Sequence, residues 1–295
     1  MQLSTVVSNG IEVAYETFGA PGGRPLLLVA GLGFQMLVWH PELCAALAAE
    51  DFFVVRYDNR DVGLSTHLHD APPPNLGAAM GGDFSSASYR LEDMAQDAPG
   101  LLDALGLDRV HVVGASLGGM IAQTMAITHP DRVGSLTSIM STPSLSIGSP
   151  TPATQAALFA PLPTSRAEVV EQTVTTLRII GSPGYPADEA WVRELAGQSY
   201  DRGFDPAGMA RQLLAIYASG DRTAALARVT APALVVHGEA DPLIQLPGGQ
   251  ATAAALPDAE LLVLPGMGHD LPRGIWPTLV AAISGLAQRA VALHF

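Results

Sequence analysis

Val110-His111-Val112-Val113-Gly114-Ala115-Ser116-Leu117-Gly118-Gly119-Met120-Ile121 is the stretch on which the reading of this chain turns. Mostly apolar, β-branched residues run into a glycine-flanked serine, and a helical pattern of Met120, Ile121 and Met125 follows with no turn signal between. The pattern predicts strand, sharp turn, helix. The serine is lifted out of the sheet, and glycine is required at 114 and 118 because the backbone there passes close to neighbouring strand and helix. G-x-S-x-G in that context is a nucleophile elbow. Ser116 then stands at a helix N-terminus, where the N–H of Leu117 and the positive end of the helix dipole face the negative charge that builds on an attacked carbonyl. One stretch thus supplies a nucleophile and half of an oxyanion hole.

Outward from the elbow, the apolar runs over 25–30, 52–57, 132–140, 233–238 and 260–264 read as strands, and those that are continuously apolar as strands buried on both faces. Helical patterns over 41–50, 90–105, 246–255 and 275–289 alternate with them, and residues 3–7 and 11–17 form a hairpin around Asn9-Gly10. This order predicts an α/β fold with a mostly parallel, doubly wound sheet. Between Pro143 and Arg228 the texture changes: prolines break up short helical patterns, and no buried strand returns until Pro232. That segment, 143–228, is expected to be a helical cap inserted into a core made of 1–142 and 229–295.

A chain of 295 residues with 48% hydrophobic composition buries a large core. Its net charge of −13 repels nucleic acid and anionic membrane, which leaves a small molecule as the expected partner. All 15 basic residues are arginine, so Schiff-base, pyridoxal-phosphate and P-loop lysine chemistry are excluded together. The single cysteine, Cys44, forms no internal disulfide and no Cys-rich zinc site, and reads as a small core residue on a helix. His67 and His69 lie in a polar, Pro-rich stretch reaching Ser88 and read as solvated loop histidines, with no carboxylate or cysteine set beside them in sequence; no metal and no cofactor are called for. The N-terminus has neither the basic nor the apolar region of a signal peptide, and no apolar run spans a bilayer, so a cytoplasmic, non-membrane protein is expected. Oligomeric state has no signature in the sequence.

A serine hydroxyl needs a base within hydrogen-bond reach, and the base needs a partner that fixes its tautomer. Chain order Ser, Asp, His is the order that goes with this elbow. Ser116, Asp241 and His269 satisfy it, Asp241 just after one buried strand and His269 on a glycine-rich loop just after the next. Strand ends at one edge of a parallel sheet meet in space. His40, His111, His129, His237 and His294 lie in or beside helices and strands and read as structural, while Glu239 and Asp270 read as solvated loop carboxylates. The charges of Asp58 to Asp61 are expected to brace loops around the site. The glycine-flanked loop after the 25–30 strand is where the second oxyanion N–H is expected, from Leu32, with Gly33 as the alternative.

The segments Tyr57 to Ser65, Gly114 to Gly119, Gly238-Glu239-Ala240-Asp241-Pro242 and Pro265-Gly266-Met267-Gly268-His269 resemble the pattern of the α/β-hydrolase family from end to end of the chain. Within it, Arg56 to Ser65 and Pro265 to His269 are similar to the aclacinomycin methylesterase group of polyketide-tailoring and bacterial carboxylesterases. One departure is Ala30-Gly31-Leu32, where many relatives carry His-Gly before the oxyanion residue. The resemblance implies a helical cap, and the elbow serine sets the chain apart from relatives with aspartate there. The expected activity is a cofactor-free serine esterase acting through an acyl-enzyme on methyl or ethyl esters of hydrophobic or polyketide-like acids. Lactone or C–C bond hydrolysis uses the same residues, and a ligand-binding receptor on the same scaffold is the alternative from another class. The aromatic residues Phe159, Tyr185, Trp191, Tyr200, Phe204 and Tyr217 suit either a bulky substrate or the internal packing of the cap.

Overall fold

The computed structural model describes residues 3–158 and 163–292. Its strands are β1 (Ser4–Ser8), β2 (Ile11–Phe18), β3 (Arg24–Val29), β4 (Phe52–Tyr57), β5 (Val110–Ala115), β6 (Val133–Ile139), β7 (Ala233–Gly238) and β8 (Ala259–Leu264), joined in one sheet in the order β1-β2-β4-β3-β5-β6-β7-β8. The N-terminal hairpin pairs antiparallel and docks antiparallel on β4, while every pairing from β4 across to β8 is parallel. Strands β4 to β7 are buried along their whole length, as their continuous apolar runs require, whereas β8 is the half-exposed edge.

The helices are α1 (Pro41–Ala49), α2 (Leu76–Met80), α3 (Leu91–Ala104), α4 (Leu117–Thr128), α5 (Pro152–Leu158), α6 (Arg166–Ile180), α7 (Glu189–Gly203), α8 (Pro206–Ser219), α9 (Thr223–Leu226), α10 (Leu246–Ala255) and α11 (Trp276–Ala292). Side chains alternate across the pleat, so β3 sends Leu27 and Val29 to a core shared with α3 and α4, and Leu26 and Leu28 to a second core under α1 and α11. Each such leucine contributes about 1.5–3 kcal/mol relative to exposure. The expected doubly wound sheet is therefore present. Cys44 lies fully buried on α1.

A single α-helix joins β5 to β6 and β7 to β8, but the connection from β6 to β7 carries α5 to α9. The 67–88 stretch also holds the short α2, which the sequence pattern did not suggest; Asn75 caps it, its Oδ1 accepting from the Ala78 N–H at 3.0 Å. The parallel strands bring the loops that follow β3, β5, β7 and β8 to one edge of the sheet. Two surface grooves, lined by Pro232, Asp258 and Arg289 and by Arg24, Asp51 and Gln288, lie at the opposite edge.

Candidate active site

Ser116 has φ +56° and ψ −119°, a conformation a side-chain-bearing residue adopts only when its surroundings enforce it. Its N–H donates to the Ile139 carbonyl at 2.9 Å, and its carbonyl accepts from the Met120 N–H and the Ser141 hydroxyl. A Cβ on Gly114 would stand 2.0 Å from the Gly118 carbonyl oxygen, and one on Gly118 would stand 2.0 Å from that of Val29. Glycine at both positions is what lets α4 start directly against β5 and β3.

His269 Nε2 lies 3.0 Å from Ser116 Oγ, and its Nδ1 lies 2.7 Å from Asp241 Oδ2. Residues 116, 241 and 269, distant in sequence, thus form one hydrogen-bonded line. Asp241 is fixed from its other side, because Oδ1 accepts the N–H groups of Leu243 and Ile244 at 2.9 Å each. Beneath it, His237 donates from Nε2 to the Ile244 carbonyl at 2.7 Å, bracing the end of the same turn. Burial holds the His237 pKa below its usual value, and its Nδ1 has no partner among the described residues. Among the other histidines, His40 caps α1 and accepts from the Glu42 N–H, while His111 on β5 bonds Ser135. His294 lies outside the described residues.

The loop that carries His269 is stitched to the end of α6 and the residues that follow it. The His269 N–H donates to the Ile180 carbonyl at 2.7 Å, the Gly268 N–H to Ser182 Oγ at 2.8 Å, and the Gly184 N–H to the Gly266 carbonyl at 2.9 Å. Ser182 Oγ in turn donates to Asp270. Asp270 is therefore not the solvated carboxylate expected from the sequence: burial pushes its pKa up, against the pull of the Ser182 hydrogen bond. Ser182 sits in no motif and meets Gly268 across 86 positions, so the sequence does not single it out. Glu239 is exposed, as expected.

The loop after β3 crosses beside Ser116, since a Cβ on Gly31 would stand 3.4 Å from the Ser116 Cβ. Among the described residues, no acceptor takes the N–H of Leu32 or of Leu117, whereas the Gly33 N–H is occupied by Gln212 Oε1 at 2.9 Å. Gln212 also donates to the Arg60 carbonyl at 2.8 Å, and the Met209 side chain packs against Gly33. The neighbouring 58–61 loop braces rather than reacts. Asp58 accepts from the N–H groups of Met36 and Leu64 and pairs with Arg202 on α7 at 2.5 Å; Asp61 accepts a two-pronged bond from Arg211 on α8 at 2.7 and 2.9 Å. Arg202, Arg211 and Gln212 carry no local motif, so nothing in the sequence singled them out.

Trp191 meets His40 at a tilt with ring centroids 4.2 Å apart, which seats α7 against the start of α1, whereas Tyr200 stacks on Phe204 at 5.4 Å within α7 and its own end. Phe159 lies outside the described residues. His67 and His69 stack on each other with ring centroids 5.3 Å apart. His67 is mostly buried, contrary to the solvated reading, because Asp205, brought in by α8, pairs with it at 2.8 Å. No helix among the described residues is long and apolar enough to cross a membrane.

The sequence matches the alpha/beta hydrolase fold family over residues 24–272. It is 30% identical to rhodomycin D methylesterase of Streptomyces sp. (strain C5), across 98% of this chain and 99% of that protein. Among solved structures it is similar to the enol-lactonase from Burkholderia xenovorans LB400, with a TM-score of 0.73, 24% identity and coverage of 97% of this chain and 100% of that one. An esterase from Rhodococcus sp. ECU1013 superposes with a TM-score of 0.74 at 21% identity, covering 97% and 100% of the two chains. The elbow, the sheet order and a family match over most of the length agree: this chain belongs to the α/β-hydrolase fold family and is a hydrolase.

Proposed function

We propose that the protein is a serine carboxylesterase that cleaves methyl or ethyl esters of hydrophobic or polyketide-like acids through an acyl-enzyme on Ser116. The observation that carries this reading is the line Ser116 Oγ, His269, Asp241 at 3.0 and 2.7 Å. His269 Nε2 takes the hydroxyl proton as Oγ bonds to the ester carbonyl carbon, and the N–H groups of Leu32 and Leu117 receive the oxyanion. The imidazolium returns the proton to the departing alcohol, and a water activated by the same ring releases the acid. Residues 143–228 form the cap over a core of 1–142 and 229–295, and the acid part of the substrate lies between them. Support for the small alcohol comes from the methylesterase likeness along the whole chain. The negative chain charge favours neutral over anionic acyl groups.

The experiment is labelling with a serine-reactive phosphonate, peptide mapping of the adduct, and kinetics on methyl esters graded in acyl bulk and charge. The adduct is expected on Ser116, and Ser116→Ala should lose on the order of 10⁵ in kcat while folding normally. An adduct on another serine, or turnover retained in the alanine variant, overturns the mechanism. Preference for acetate or a dianionic acid over a large neutral acyl group overturns the substrate class.

A further inference from the structure

We propose that His67, His69 and Asp205 form a binding site for one divalent transition-metal ion of the zinc class, which pins the start of α8 to the loop after β4. His67 presents Nε2 to the Gly63 carbonyl oxygen at 3.1 Å and Nδ1 to Asp205 Oδ2 at 2.8 Å. Both neighbours are acceptors, and a neutral imidazole has one N–H to give. The arrangement therefore calls for a positive charge on the Nδ1 side. A metal ion supplies it: with the Nε2–H committed to the Gly63 carbonyl, Nδ1 offers its lone pair, the orientation in which a carbonyl partner holds a metal-binding histidine.

The third donor stands beside these. His69 lies parallel to His67, with ring centroids 5.3 Å apart, and its Nδ1 is 4.0 Å from the same Asp205 oxygen. One donor atom from each of the three side chains lies within 4.8 Å of the others. A tetrahedral zinc ion with bonds of about 2.0–2.1 Å holds its donors roughly 3.4 Å apart, so small ring movements close the set. His69 is 74% exposed, so its ring can swing at the cost of little more than its stack on His67. Two imidazoles and a carboxylate suit zinc or nickel and not magnesium or calcium, and the fourth position is left to water.

Charge permits the ion. Arg211 Nη2 approaches Asp205 Oδ2 at 3.2 Å, but that guanidinium is already paired two-pronged with Asp61, so the two carboxylates leave the immediate surroundings negative. Asp205 Oδ1 is not required for the metal and continues to cap α8 through the Gly208 N–H. An ion here ties down the helix that carries Met209, Arg211 and Gln212 over the oxyanion loop, without touching the triad.

The test is isothermal titration of the tag-free, chelator-stripped full chain with zinc chloride, nickel chloride and magnesium chloride, paired with thermal unfolding in each. Zinc and nickel are expected to bind with a stoichiometry of one and to raise the midpoint; magnesium is expected to do neither. His69→Gln removes only an exposed ring, and Asp205→Asn keeps a capping side chain; each should weaken zinc by more than about tenfold, while His129→Gln leaves it unchanged. Absence of saturable zinc binding means that a proton alone completes the cluster and overturns the proposal. Unchanged affinity in His69→Gln and Asp205→Asn, or equal binding of magnesium, overturns it as well.

Discussion

Replacing Asp241 by asparagine tests the proposed triad at the atom where the structure makes the sharpest prediction. Asp241 Oδ1 accepts two backbone N–H groups, from Leu243 and Ile244, at 2.9 Å each, and Oδ2 faces His269 Nδ1 at 2.7 Å. In the asparagine variant the amide oxygen stays on the two N–H donors, since turning it over would set N–H against N–H at both. The amide NH₂ is thereby aimed at His269 Nδ1 and forces that nitrogen to accept. The ring's one proton moves to Nε2, which now points a donor, not a lone pair, at Ser116 Oγ. The base is lost without loss of structure. The expected fall in kcat is on the order of 10⁴, equivalent to about 5.5 kcal/mol of barrier, with KM little changed because the carboxylate touches no substrate. Steady-state kinetics on a methyl ester, with circular dichroism and a denaturation midpoint for both proteins, measure it. A fall of less than about tenfold in a well-folded variant would refute the tautomer argument, and inactivation by Glu239→Gln instead would move the acid to a residue the structure leaves exposed.

Ser182→Ala deprives Gly268 of its acceptor and Asp270 of its donor, so the base loop shifts: kcat should fall about ten- to a hundredfold at near-constant KM, and Ser182→Thr, which keeps the hydroxyl, should recover most of it; equal losses in both variants would show that the hydroxyl positions nothing. His111 is buried on β5, and desolvation, aided by Arg24 and Arg109, lowers its pKa from 6.5 to about 4. Between those values the unfolded chain binds a proton that the folded chain does not, so stability is full above pH 6.5 and falls as pH drops toward 4, by about 3 kcal/mol. Urea unfolding should show that slope flattened in His111→Gln, and an unchanged slope would assign the acid sensitivity to other groups.

Much of this molecule was legible because its determinants are local. Asn9-Gly10 marks a hairpin, the apolar runs mark buried strands, and Gly114 and Gly118 mark an elbow whose crowding the structure puts at 2.0 Å. The order of Ser116, Asp241 and His269 was readable too, since parallel strands deliver their trailing loops to one edge whatever lies between them. What stayed hidden depends on contacts between residues far apart in sequence. Asp205 turns His67 from a solvated side chain into a buried partner across 138 positions, and Ser182 reaches Asp270 across 88. Gln212 takes the Gly33 N–H across 179 positions, whereas among the described residues no acceptor takes that of Leu32. Composition and periodicity report burial and secondary structure; they do not report which polar atom a distant helix will meet.

The same long-range bonds bear on how a substrate of the proposed site would reach Ser116. Helices α7 and α8 are tied to the loops around the nucleophile by Arg202 on Asp58, by the two-pronged Arg211 on Asp61, by Gln212 on Gly33 and Arg60, and by Gln35 donating to the Ser199 and Gly203 carbonyls. Even at about 1.5 kcal/mol for each charge-assisted bond and about 0.5 for each neutral one, this set holds the helices down by about 6.5 kcal/mol. Lifting them as a unit would then be populated in only about one molecule in 10⁵. Arginine is suited to this work, because its planar fork engages a carboxylate at two points where a lysine would offer one movable charge. A hinged lid built on α7 and α8 would spend nearly all of its time shut. These helices therefore serve as a fixed wall of the proposed site, one that also orders the oxyanion loop through Gln212. In the proposed mechanism a substrate would approach Ser116, half-buried in this conformation, along that wall and not by displacing it.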